Sequence, residues 1–183
     1  MLMRCGLAGF AGIVLFASPA QAQAPSSAAR LEAWLCTYFK APSDDLLASF
    51  PDYGLGPIQR TTTQRTDARG GAVEKSSAMV RGQAFKVTAT HQERVADRRP
   101  YGYHLKIEVK GQLIWPTARE AAERLARVGK VRTDKELGET IAEAGQEPGG
   151  LYYFTASFST EFQRLEIDWL RPQEAAIGQG FCA

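Results

Sequence analysis

The chain has 183 residues, with 22 Lys and Arg against 20 Asp and Glu, a net charge of +2 and 44% apolar residues. This near-balance lacks the basic excess of most nucleic-acid binders, so no nucleic-acid partner is expected. The length suits one folded domain with a real core, and no repeat or low-complexity tract interrupts it.

The first residues read as an address. Arg4 supplies a positive start, Leu7 to Ala17 is an apolar run, and small residues follow at Ser18, Ala20, Ala22 and Ala24. Ala20-Gln21-Ala22 and Ala22-Gln23-Ala24 both fit the small-x-small cleavage pattern of a secretory signal peptide. The run is shorter than the roughly 20 residues that span a bilayer. Residues 1–24 are therefore expected to be removed, leaving 25–183 as a single periplasmic or extracellular domain without a transmembrane segment. Cleavage removes Arg4 and leaves 21 Lys and Arg against 20 Asp and Glu.

Two of the three cysteines then remain, Cys36 and Cys182, and an even pair in an oxidising compartment reads as a disulfide. The first element of the remaining chain is a helix from about Ser27 to Lys40. Leu31, Trp34, Leu35 and Tyr38 form one apolar stripe at i, i+3, i+4 and i+7. At about 100° per residue Cys36 projects away from that stripe, beside Ala29 and Ala33. A chain crossing the back of the helix would reach it, and the Gly178-Gln179-Gly180-Phe181-Cys182 tail is suited to that crossing, with Phe181 as a plug. Pro42 ends the helix, Ser43-Asp44-Asp45-Leu46-Leu47 reads as a short capped turn, and Pro51 to Pro57 as a loop.

Strands follow. Ile58 to Thr66 is Thr-rich and polar, as an edge strand would be. Asp67-Ala68-Arg69-Gly70-Gly71 is a turn. Residues 72–80 form a second weak strand, and in residues 83–91 Phe85, Val87 and Ala89 alternate against Lys86, Thr88 and Thr90. Residues 101–110 alternate strictly, with Tyr101, Tyr103, Leu105, Ile107 and Val109 on one side. After Trp115-Pro116 the period changes. Thr117 and Glu120 have capping-box spacing, and Ala118, Ala121, Ala122 and Leu125 make a stripe. Glu120–Arg124 and Glu123–Arg127 are spaced for i,i+4 pairs. Thr133 and Glu136 suggest a second box opening a short helix through Leu137, Ile141 and Ala144, stopped by Gly145, Pro148 and Gly149. Residues 151–159 and 164–170 are the last two strands.

The fold class is therefore α+β: an N-terminal helix and one or two central helices packed on a mainly antiparallel sheet of about six strands. This layout is similar to secretion-chaperone-like and cystatin-like folds in element order alone, and no motif brings a function with it.

Chemistry is sparse. There is no Gly-x-Ser-x-Gly elbow or Walker loop, and Gly54-Leu55-Gly56 and Gly178-Gln179-Gly180 lack the third glycine and the context of a dinucleotide site. Two histidines without close Cys/His spacing predict no metal site, and no cofactor is expected. His91 and His104 are weak acid–base candidates, with Glu108 or Glu93 as partner for His104. Glu166 and Asp168 share one strand face. Arg94, Arg98 and Arg99, with Asp97 among them, lie at the tip of the expected 83–91/101–110 hairpin, where guanidinium groups can take an anion or a protein partner. The function expected is an exported cell-envelope binding or accessory protein without a catalytic site, in an inhibitor, immunity-like or assembly role. Its partner would be another envelope protein or an anionic small ligand. The alternative is a small exported hydrolase with a His/carboxylate site.

Overall fold

A computed structural model describes residues 26–110, 114–146 and 150–182. The expected signal peptide lies outside the described residues. Helix α1 spans Ser27–Lys40, and Ser26 opens it by accepting a hydrogen bond from the Ala29 N–H at 3.2 Å. A 3₁₀ turn, Asp44–Ser49, follows. Four strands come next: β1 Gln59–Thr66, β2 Ala72–Arg81, β3 Phe85–Arg94 and β4 Pro100–Val109. Helix α2, Ala118–Leu125, is capped by Thr117, whose Oγ1 accepts from the Glu120 N–H at 3.1 Å. The chain then forms β5 Lys130–Asp134, β6 Glu139–Gln146, β7 Tyr152–Ser159 and β8 Arg164–Trp169, and ends in a 3₁₀ segment, Pro172–Cys182.

All eight strands form one antiparallel sheet in the order β1-β2-β3-β4-β8-β7-β6-β5. Two four-strand meanders thus meet at the β4–β8 seam, where Leu105 lies opposite Ile167 and His104 opposite Asp168. The fold class is α+β as the alternation implied, but the described residues form eight strands.

The two extra strands replace the second central helix expected over residues 133–144. Asp134 Oδ1 accepts from the N–H groups of Glu136 and Leu137, at 3.0 and 3.1 Å. Gly138 takes φ +63°, so the supposed capping box is a hairpin turn. Leu137 is 60% exposed at that turn, whereas Thr140 and Ala142 face the core. Small residues on the buried side made a period of two look helical.

One face of the sheet is apolar and covered. The stripe of α1, extended by Phe39, packs with Leu105, Ile107, Phe154, Leu165, Ile167 and Trp169 in a single core. Helix α2 adds Ala121 and Leu125, both fully buried, and packs against β6 and β7. No helix among the described residues is long and apolar enough to cross a membrane.

The C-terminal segment crosses α1. Phe181 is 2% exposed and stacks on Phe39, with ring centroids 6.3 Å apart. Cys36 and Cys182 are a disulfide-compatible pair, their Cα atoms 4.9 Å apart. The glycines are present because the tail lies close to its neighbours, not because it is loose. A Cβ at Gly178 would meet the Phe39 ring at 2.4 Å, and one at Gly180 the Arg127 carbonyl at 2.3 Å.

The pairs expected along α2 form differently. Arg119 Nε bonds to Glu123 at 3.0 Å, whereas Arg124 and Arg127 turn across to Glu32 of α1.

Candidate functional site

The other face of the sheet is open and polar. Alternation places Lys86, Lys106, Glu108, Arg164, Glu166 and Glu139 there, and cross-strand register joins them into a lattice. Lys86 Nζ donates to Glu108 at 2.6 Å, Lys106 lies 3.4 Å from both Glu108 and Glu166, and Arg164 bridges Glu166 and Glu139 at 3.3 and 3.0 Å. The Lys86 hydrogen bond is the largest cause holding the Glu108 carboxyl below its ordinary range. Glu108 is thus committed to a lysine and does not serve His104.

His104 belongs to the next row. Its Nδ1 lies 2.9 Å from Asp168 Oδ1, so its acid partner comes from β8 and neither Glu108 nor Glu93. Thr90 is opposite His104 on β3, and the hydroxyls of Thr90 and Ser77 are 3.0 Å apart. Acid, imidazole and two hydroxyls therefore line up across β8, β4, β3 and β2. The row lies on the open face, and the Asp168 side chain is 58% exposed.

The arginine tip is occupied by local acids. Arg98, at φ +55°, pairs with Glu93 and also reaches Glu74 at 3.6 Å. The Glu93 hydrogen bond is the main cause raising its pKa. Arg99 Nε lies 3.1 Å from Asp97. Arg94 lines small depressions with Asp67 and Arg69 of the neighbouring β1–β2 turn. Asp67 is held low by the N–H groups of Gly71 and Arg69. Lys86 lies at the far end of the hairpin and Lys106 in the lattice, so neither joins the tip.

A cleft of about 400 Å³ opens on the helix side of the sheet, between the end of α1, the 3₁₀ turn after it, and strands β1, β3 and β4. Its chemically important walls are Tyr38, Asp44, Asp45, Arg60, His91 and Tyr103. Pro42 follows the end of α1 at Lys40 and turns the chain so that Asp44 and Asp45 stand above the sheet, while β1 carries Arg60 beneath them. Arg60 Nη2 donates to Asp45 Oδ1 at 2.6 Å and spends both charges on the rim. His91 stacks on Tyr103, and Tyr103 on Trp169, with centroids 6.2 and 5.2 Å apart.

The remaining polar groups are uncommitted. Among the described residues, neither the Tyr38 and Tyr103 hydroxyls, the His91 imidazole nor the Asp44 carboxylate has a hydrogen-bonding or ion-pair partner. Tyr38 is only 4% exposed. Burial and the nearby Asp44 push its phenol up, and burial with Glu93 does the same to Tyr103. Both hydroxyls thus stay protonated and can donate as well as accept.

Of the expected site residues, His91 falls in this cleft, His104 and Glu108 fall on the opposite face, and the three arginines fall at the hairpin tip. Tyr38, Asp44 and Tyr103 were not singled out for a site. Tyr38 and Tyr103 sit in apolar stripes and look like core residues, and only the tertiary fold turns their hydroxyl ends to a cavity. No group of three or more His, Cys, Asp or Glu able to hold a metal occurs among the described residues. No family model, curated protein or solved structure matches this chain.

Proposed function

We propose that the protein is an exported binding or accessory module of the cell envelope, and that its contact groups line the cleft between α1 and the sheet. The observation that carries this reading is the convergence of unpaired polar groups on one concavity: the hydroxyl of a nearly buried tyrosine, a second hydroxyl, an imidazole and a carboxylate. Buried or half-buried polar groups are normally paired. A set left open in a cleft is suited to a ligand that supplies the missing partners.

A second reading is favoured by one observation. The His104–Asp168 contact orients an imidazole beside the Thr90 and Ser77 hydroxyls, as a hydrolase would need. Its open setting favours it less, because water surrounds the group and weakens both its electrostatics and its hold on a substrate.

The two readings separate on product analysis. Mature protein is incubated with extract of its own envelope, and the small molecules and peptides are compared by mass spectrometry before and after. The binding reading expects retention without conversion. Conversion that stops with His104→Ala would establish the hydrolase reading instead.

A further inference from the structure

We infer that the cleft takes an organic ammonium, its charged head set against Asp44 and its body against the wall formed by Tyr38, His91 and Tyr103. This rests on the binding reading above and names the class of ligand.

Three features select that class. The first is charge. Arg60 and Asp45 cancel each other at 2.6 Å, so Asp44 is left as the uncompensated charge of the cleft. An anion entering there would meet the unpaired Asp44 carboxylate. The second is the wall. The face of an aromatic ring attracts a cation, and the ring body packs against its methyl or methylene groups. The Tyr38 hydroxyl oxygen adds a neutral acceptor near Asp44, and the Tyr103 hydroxyl a second one in the cleft wall. The third is the donor set, since two carboxylates, one of them paired to arginine, and a single imidazole do not make a metal cage. A cation held by one carboxylate and aromatic rings is organic.

Tyr38 makes this more than an exposed acidic turn. It is 4% exposed, its hydroxyl has no partner among the described residues, and it forms part of the cleft wall beside Asp44. That oxygen opens to the cleft, where a ligand ammonium or hydroxyl can satisfy it.

The test uses four probes on the folded, oxidised chain: choline, ethanolamine, 3,3-dimethylbutan-1-ol as the neutral isostere of choline, and 3,3-dimethylbutanoate as an anion of similar shape. Ring signals of Tyr38, His91 and Tyr103 are followed by NMR. Choline or ethanolamine should shift them saturably. The neutral alcohol should bind at least tenfold more weakly and the anion not at all. Asp44→Asn should cost the cations tenfold or more while leaving the alcohol unchanged. Asp45→Asn, which frees Arg60 at the rim, should also weaken the cations. Equal binding of alcohol and cation, or preference for the anion, at these same rings would overturn the ammonium assignment and leave the cleft a binding site. Absence of any shift with all four probes would overturn both.

Discussion

Glu32 Oε2 lies 3.0 Å from Arg124 Nη1 although 92 positions separate the two residues, and Arg127 Nη1 approaches the same oxygen at 3.2 Å. The carboxylate side chain is 9% exposed and the two guanidinium groups 30%. One acid on α1 therefore receives two bases from the end of α2, tying together helices that both pack on the sheet. Removing the acid leaves two half-buried cations without it. Glu32→Gln should destabilise by about 1–3 kcal/mol, the range for losing a charged hydrogen bond. A denaturant midpoint that does not move would show that water replaces the carboxylate at no cost.

The C-terminal segment should be the most redox-sensitive part of the chain. Cys36 and Cys182 are 146 positions apart, and closing a loop of that size removes unfolded-state entropy ideally worth on the order of 4–5 kcal/mol. Reduction or Cys182→Ser should lower Tm and expose residues 172–182 to early proteolysis while the sheet persists. Non-reducing peptide mapping checks the bond, and two free thiols in oxidised material would refute it. Gly178→Ala tests the packing separately. Its new methyl collides with Phe39, and overpacking of this kind costs about 1–3 kcal/mol.

Acid should loosen the open face. The folded Glu108 carboxyl is held below its ordinary 4.5 by the Lys86 hydrogen bond, with Lys106 adding to it. The unfolded chain therefore binds this proton more readily than the folded one. The resulting stability is present above the ordinary carboxylate range and is lost as pH falls through the lowered folded value. The side chain is one-third exposed, so the effect is a modest one, screened by solvent. Unfolding midpoints measured down the acid range should fall less steeply for Glu108→Gln than for wild type. Parallel curves would remove Glu108 from the account.

The arginine tip should be dispensable for folding. Arg98 and Arg99 are exposed and pair with acids within their own hairpin or next to it, and Arg94 is half-buried beside the β1–β2 turn. Replacing Arg94, Arg98 and Arg99 together by alanine should scarcely move the unfolding midpoint. If the tip serves a partner, capture of that partner weakens. A large loss of stability would assign the cluster a structural role.

Much of the layout was legible because a half-buried strand alternates and an amphipathic helix repeats at 3.6. Tyr101 to Val109, Phe85 to Ala89 and the Leu31–Tyr38 stripe announce themselves in that way. The β5–β6 hairpin did not, since Thr140, Ala142 and Ala144 are too small to mark a buried face. The Asp134 turn also shares its spacing with a helix cap. Charge partners were not legible even within one element, since Arg124 and Arg127, spaced for Glu120 and Glu123, turn to Glu32 instead. Glu32 with Arg124, and His104 with Asp168, join residues far apart in the chain, and register alone brings them together. The cleft was hidden for a related reason. Tyr38 and Tyr103 have apolar bodies that fit the core pattern, and their hydroxyl ends gain meaning only where Pro42 and the following turn leave a gap above β3 and β4.

Native mass spectrometry of the folded protein, isolated without denaturation from the cells that make it, tests most directly whether the cleft holds a ligand. Wild type, Asp44→Asn and His104→Ala are compared. Wild type and His104→Ala should carry the same added mass, released chemically unchanged on denaturation, and Asp44→Asn should not. A bare wild-type protein, or an adduct that persists in Asp44→Asn and vanishes in His104→Ala, would contradict the binding reading.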